Sequence, residues 1–261
     1  MPITRRSLLQ SFVLALTVVS TPLVLGFSNL FRNKRLRPPC ALDEKDLLAS
    51  CIKCGQCIQV CPVQALKPGD INDGFGVGVP FLDPRKQACD FSCDVIQCAL
   101  ACPTGALAYH KPEFFEVRPG ARLPQAPVLL AKAKEPDSTL NMTERMGVAR
   151  LSRPDACLAL QGQGVKGKPR GSLFQGLKRY TSIDRWKPVK LADQDYDIPL
   201  CDLCVRECPI QGAIRLETFS ENGIQKGRPV VTDLCVGCGT CEMMCPSDPA
   251  AIEIEARGVW T

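Results

Sequence analysis

Histidine is nearly missing from this chain of 261 residues: His110 is the only one. A Ser/His/Asp triad needs a histidine and a paired-histidine metal site needs two, so hydrolytic catalysis has no support here. His110 reads as a surface residue. Aromatic residues make up only 6% of the chain. That leaves a thin, aliphatic core and too few rings for base stacking on nucleic acid. A basic surface is also missing, although the formal net charge is +5. Arg5, Arg6, Arg32, Lys34, Arg35 and Arg37 precede any acid, and setting these six aside leaves 26 basic against 27 acidic residues. A body this close to neutral argues against nucleic acid as a partner.

Cysteine, by contrast, is abundant, and 16 of the 17 cysteines fall into four groups that each end in Cys-Pro. Cys51, Cys54, Cys57 and Cys61 read C-x2-C-x2-C-x3-C, closed by Pro62. Cys235, Cys238, Cys241 and Cys245 repeat that spacing before Pro246. Cys89, Cys93, Cys98 and Cys102 have the spacing C-x3-C-x4-C-x3-C before Pro103. Cys201, Cys204 and Cys208 precede Pro209, with Cys157 as a distant fourth member. The regular run is the bacterial ferredoxin spacing for a cubane 4Fe-4S cluster. Three thiolates on a tight loop reach three corners of the cube, and the fourth comes from elsewhere. Two intact and two modified runs imply four 4Fe-4S clusters and a chain built to move electrons. No catalytic residue is indicated.

Other uses of these cysteines fit less well. Zinc sites pair C-x2-C couples to reach four ligands in total, and a third cysteine followed by C-x3-C-P is not their habit. A disulfide framework belongs to small, loop-rich secreted chains. No C-x3-C-x2-C run is present, so radical chemistry on S-adenosylmethionine is not indicated. Each Cys-Pro is expected to start a short helix, over 62–66, 103–107, 209–214 and 246–252, because proline suits a first helical turn. The leftover Cys40, behind two prolines, reads as an ordinary thiol rather than a lipidation site.

Thr4-Arg5-Arg6-Ser7-Leu8-Leu9 is a twin-arginine pattern ahead of an apolar run. Residues 7–31 carry no charge and, as a helix, reach about 38 Å, enough to span a bilayer. No good A-x-A cleavage site follows. The segment therefore reads as an uncleaved anchor that holds the body on the periplasmic face of the inner membrane after twin-arginine export. The charge balance around the segment points the other way, with four basic residues after it and two before. Export by the twin-arginine route recognises the arginine pair instead.

Within the body, residues 42–49 suggest an amphipathic helix, 68–84 loop and extended chain, 111–140 an irregular stretch, and 146–152 a strand leading to Cys157. Gly162-Gln163-Gly164-Val165-Lys166-Gly167 has the spacing G-x-G-x-x-G, but Pro169 and Gly171 stand where a helix should run, so it is no dinucleotide site. The 161–200 stretch is basic, with Lys166, Lys168, Arg170, Lys178, Arg179, Arg185, Lys187 and Lys190. It reads as a solvated surface loop, or as a dock for an acidic redox partner. The expected division is a signal and anchor over 1–37 and a four-cluster domain over 38–261.

Taken together, the chain resembles the MauM/NapG family of ferredoxin-type proteins. The leader, Leu36-Arg37-Pro38-Pro39, Cys51-Ile52-Lys53-Cys54-Gly55-Gln56-Cys57, Arg145-Met146-Gly147-Val148-Ala149 and Cys201-Asp202-Leu203-Cys204 carry the resemblance, with the fourth group. It implies an electron-transfer subunit that takes electrons from a quinol-oxidising membrane iron–sulfur partner of NapH type and passes them to a periplasmic reductase. Alternatives are the electron-transfer subunit of a molybdenum oxidoreductase and a maturation factor for a periplasmic redox enzyme. The group-two spacing and the long insert before Cys201 depart from the family pattern. The chain is also similar to four-cluster subunits of dimethyl sulfoxide reductase type. That analogy implies an α+β fold of two ferredoxin-like bis-4Fe-4S modules, loop-rich, behind an N-terminal hydrophobic helix. Pairing would be nested, with an outer module of 51–61 and 235–245 and an inner module of 89–102 and 157–208. One cluster would then take Cys51, Cys54, Cys57 and Cys245, and its neighbour Cys235, Cys238, Cys241 and Cys61. The inner sets would be Cys89, Cys93, Cys98 with Cys208, and Cys157, Cys201, Cys204 with Cys102. Sequential pairing is the alternative.

Overall fold

A computed structural model describes residues 35–71, 76–91, 96–107, 146–179 and 187–257. The twin-arginine leader, the 7–31 segment, Cys93, His110, the 111–140 stretch, Tyr180, Arg185 and Trp186 lie outside the described residues. Among the described residues, no helix is long and apolar enough to cross a membrane.

The mixed helix and strand content agrees with the α+β expectation. Helices are short: α1 (Glu44–Ser50), α2 (Gln56–Gln59), α3 (Gln97–Leu100), α4 (Leu203–Arg206) and α5 (Thr240–Met244). Strands are β1 (Leu66–Pro68), β2 (Pro80–Leu82), β3 (Gly147–Leu151), β4 (Val165–Gly167), β5 (Leu177–Lys178), β6 (Val189–Lys190), β7 (Tyr196–Ile198), β8 (Ile214–Glu221), β9 (Ile224–Val231) and β10 (Ile252–Ala256). They pair antiparallel as β1–β2, β3–β10, β4–β7, β5–β6 and β8–β9.

The pairing defines two modules that follow one another in sequence. In the first, β1 leaves group one, β2 leads to group two, and Leu107 beyond group two returns to bridge Ala41 before group one. In the second, β8 leaves group three, β9 leads to group four, and β10 beyond group four returns to β3 before Cys157. Each module is closed by pairing its first and last extended segments. In this arrangement group one folds with group two, and group three with group four, as in the sequential alternative to the nested division. The first module also begins earlier than residue 38, because Leu36 is buried and bridges Leu82, and Arg37 bonds Glu44 and Pro80 O.

The core is aliphatic, centred on Leu47, Val63, Val79, Leu203, Met243 and Met244, and Phe91 is the only buried aromatic among the described residues. Cys40 lies buried in this core. The two modules meet where residues 85–89 cross α5. Cys89 N donates to Cys238 O at 3.1 Å, Thr240 Oγ1 to Cys89 O at 3.3 Å, and Ala88 N to Met243 Sδ at 3.2 Å. Arg85 holds the end of α5 through Glu242 O and Cys245 O, at 2.9 and 2.8 Å.

The described parts of the 161–200 insert, 161–179 and 187–200, form neither an open loop nor an unengaged basic patch. They form β4–β7 and β5–β6 and are fastened to both modules. Gln87 exchanges two hydrogen bonds with Leu177, each 2.8 Å, and Asp90 accepts from Arg179 N at 2.8 Å. Arg170 stacks over Phe174 and donates to Met243 O at 2.8 Å. Lys178, buried, pairs with buried Glu207, whose other carboxylate oxygen accepts from Tyr196 Oη at 2.9 Å. Removing one member strands the other charge. Lys178→Met is therefore expected to destabilise the holo-protein by about 3–5 kcal/mol, read from its denaturant midpoint. The glycine-spaced 162–167 segment runs into β4, not a helix, which agrees with the rejection of a dinucleotide site.

Candidate metal centres

The four cysteine groups share one local design. Each of α2, α3, α4 and α5 carries the third cysteine of its group, namely Cys57, Cys98, Cys204 and Cys241. The Cys-Pro cysteine follows four residues later, at or just past the end of the helix. The two sulfurs part there: Cys57 and Cys204 line the recesses described below, and Cys61 and Cys208 do not. Left-handed glycines set the start of two of these turns, Gly55 with φ 74° and Gly239 with φ 89°.

The helices expected after each proline are absent among the described residues. They stand before it, and the post-proline chain makes turns instead. Gln64 at φ 53°, Gly105 at φ 69° and Gly212 at φ 79° enter the left-handed region, which ends any helix there. The turns wrap the backbone round the cysteine sulfur. Ala65 N donates to Cys61 Sγ at 3.3 Å, Leu107 N to Cys102 Sγ at 3.4 Å, and Ala251 N to Cys245 Sγ at 3.3 Å. Ala149 N on β3 donates to Cys235 Sγ at 3.4 Å. Amides spent on sulfur cannot serve a helix ladder. No sequence signal marked these donors beyond small or apolar residues a few places after each proline.

The sulfurs gather round recesses rather than points. Cys51, Cys54, Cys57 and Cys102 line one recess with about 410 Å³ of atom-free space, partly open to solvent. Cys157, Cys201, Cys204 and Cys245 line a second of about 360 Å³. Cys208 lies among Cys235, Cys238 and Cys241, close enough for their charges to act on one another. Cys61, Cys89 and Cys98 pack against the common core, where α2 meets α3. These linings favour the sequential alternative over the nested pairing. Cys102 takes the place it gave to Cys245, Cys245 that of Cys102, and Cys208 that of Cys61. The physical reason is the closure of each module on itself, which brings the last Cys-Pro of a module back to its first group.

The electrostatics favour a strongly cationic occupant. Burial, then the neighbouring Cys51, Cys102 and Cys54, push the Cys57 thiol up to about 11. Burial does the same for Cys201, to about 11, and for Cys238, to about 12. Cys204 and Cys241 are pushed up further by burial and by the surrounding thiols. Four thiolates in such a place need positive charge between them, and metal binding supplies it. Cys102 goes the other way: burial raises it, but hydrogen bonds from Leu107, Thr104 and Ala106 outweigh that and the net shift is down. A tetrahedral zinc with ~2.3 Å Zn–S bonds would draw its sulfurs to within about 4 Å of each other. Among the described residues, no three His, Cys, Asp or Glu side chains converge on a single ion. Recesses ringed by four thiols suit a polynuclear cluster. None of the described cysteines forms a disulfide.

One backbone contact was not legible beforehand. Gly237, at φ 70°, stands between Cys235 and Cys238 with the Gly147 backbone against it, and an added Cβ would come within 2.3 Å of that chain. Small size there serves chain-to-chain contact rather than approach to the recess. Gly237→Ala is expected to lower the denaturant midpoint of the holo-protein by at least ~2 kcal/mol equivalent, through clash and left-handed strain.

Comparison with known proteins gives the same two-module division. The 4Fe-4S dicluster domain family matches residues 50–106, which hold groups one and two, and again 199–248, which hold Cys201, Cys204 and Cys208 with group four. The methylamine utilization ferredoxin-type protein MauM of Paracoccus denitrificans is 32% identical over 226 residues, 86% of this chain and 72% of its own. MauM of Methylorubrum extorquens is 31% identical over 226 residues, 86% and 74% of the two chains. The ferredoxin-type protein NapG of Escherichia coli is 31% identical over 227 residues, 84% and 70%. No solved structure matches. Fold and site thus define a ferredoxin-type iron–sulfur electron-transfer protein with 4Fe-4S dicluster domains. The chain belongs to the MauM/NapG family.

Proposed function

We propose that this chain carries four 4Fe-4S clusters and passes electrons from a quinol-oxidising membrane partner of NapH type to a periplasmic redox acceptor. The ligand sets are Cys51, Cys54, Cys57 with Cys102; Cys89, Cys93, Cys98 with Cys61; Cys157, Cys201, Cys204 with Cys245; and Cys235, Cys238, Cys241 with Cys208. Twin-arginine export and an uncleaved anchor over 7–31 would hold the body at the periplasmic face of the inner membrane. The observation that carries the reading is the gathering of cysteines from two successive groups round each recess.

A bound cluster takes up and releases single electrons without breaking covalent bonds. The chain's own part is to set how readily that happens. Amides of Ala65, Leu107, Ala149 and Ala251 donate to ligand sulfurs and favour the more negative, reduced state. Burial of Cys235, Cys238, Cys241 and Cys245 opposes added negative charge at the centre of the second module. With these two levers in one chain, neighbouring sites can differ in potential.

The test is deletion of the chain followed by assay of membranes and periplasm. Quinol-dependent reduction of the acceptor should be lost, while the acceptor enzyme keeps full activity with an artificial dye. Loss of dye-linked activity, with immature enzyme accumulating, would instead establish a maturation role.

A further inference from the structure

The four cysteine groups differ sharply in how far they meet solvent. Group one reads Cys51-Ile52-Lys53-Cys54 and group four Cys235-Val236-Gly237-Cys238. Ile52 is 63% exposed, whereas Val236, at the same place in the motif, is 5% exposed. Cys54 is exposed, whereas Cys238 is buried. The same spacing thus produces an open site at one place and a sealed one at another. Ile52 stands on the rim of the group-one recess with most of its side chain in solvent.

The chain's arrival from residues 1–34 singles out the same face. Arg35 stacks over Phe81 at 5.6 Å and donates to Gly76 O at 3.4 Å. Arg37 donates to Pro80 O at 3.0 Å. Pro80 and Gly78 line the group-one recess, and Lys53 packs on Gly78. The start of the body is therefore stitched to the rim of that recess. Only residues 32–34 separate Arg35 from the uncharged 7–31 segment, a reach of at most ~14 Å from residue 31 when extended. An anchored chain cannot hold this rim far from the bilayer.

We propose that the face formed by Ile52, Lys53 and the exposed Cys54 docks the membrane-embedded, quinol-oxidising redox partner, making this the electron-accepting end of the chain. The inference rests on the electron-carrier reading above and adds the face and the polarity. The balance is simple: one quinol oxidised at the partner releases two protons there, and its two electrons cross singly. Ile52 acts as the apolar anchor of a small contact, and the open rim lets the donor approach a ligand sulfur.

The experiment uses the full-length holo-protein in its own membranes, with Ile52→Asp and, as control, Ile224→Asp on the hairpin of the second module. Two quantities are read: co-purification of the quinol-oxidising partner in mild detergent, and reduction of the EPR signals by quinol. Dithionite reduction reports whether each variant still holds its clusters. Ile52→Asp is expected to weaken partner capture and slow quinol-driven reduction by about tenfold or more, the loss of one anchor residue, with dithionite signals unchanged. Ile224→Asp should match wild type. Wild-type capture by Ile52→Asp, or a loss confined to Ile224→Asp, overturns the assignment while leaving the carrier reading intact. A wild-type protein that quinol cannot reduce sinks the carrier reading itself, together with this one.

Discussion

Stripping iron from the anaerobically purified protein is expected to abolish its cooperative thermal transition. The core explains why. Few large side chains are fully buried among the described residues, and Phe91 is the sole buried aromatic. Strands of two to eight residues pair only in twos. Isolated two-stranded ribbons are marginal in water. What unites them is the inward-facing thiols, drawn from segments as distant as Cys157 and Cys245. Structural zinc contributes about 10–16 kcal/mol to small peptides, more than the ~5–15 kcal/mol stability of a whole domain. Several polynuclear clusters have at least comparable leverage. Calorimetry and circular dichroism on iron-free protein should show no cooperative peak. A sharp transition surviving chelation would mean that the polypeptide folds by itself and the metal is a passenger.

Cys61→Ser should weaken or abolish one cluster signal, and that signal should be the group-two one, held with Cys89, Cys93 and Cys98. Cys102→Ser should in turn remove the group-one signal. Cys102 lies in the recess with Cys51, Cys54 and Cys57, and the pairing of Ala41 with Leu107 holds it there. Cys61 lies past Val60, the C-cap of α2, and does not line that recess, which leaves its sulfur to the neighbouring site. The second module repeats the arrangement, with Cys245 beside Cys157, Cys201 and Cys204. EPR of each serine variant, compared with wild type after graded reduction, decides the matter. A Cys61→Ser change that falls on the group-four signal would restore nested pairing and contradict the closure of the modules.

Ligand positions were legible because cluster chemistry imposes short, fixed cysteine spacings that survive in plain sequence. Pairing was not, because it depends on strands too short to show periodicity. The Ala41–Leu107 bridge and the β3–β10 ribbon join segments far apart in sequence, and nothing in Gly147–Leu151 names Ile252–Ala256 as its partner. The post-proline segments misled for a different reason. Proline does suit a first helical turn, but here Gln64, Gly105 and Gly212 turn left-handed and the amides go to sulfur. The insert misled through its charge. Lysine and arginine usually face solvent, yet Lys178 and Arg179 are buried because Glu207 and Asp90, each next to a cysteine, supply partners that no local pattern reveals.

The central claim is four 4Fe-4S clusters in one chain. Iron and acid-labile sulfide content, measured with redox-titrated EPR on anaerobically purified protein, tests it most directly. About sixteen irons per chain, with interacting reduced 4Fe-4S signals, is the expected result. About eight irons would contradict it, and would mean that groups two and three no longer hold clusters.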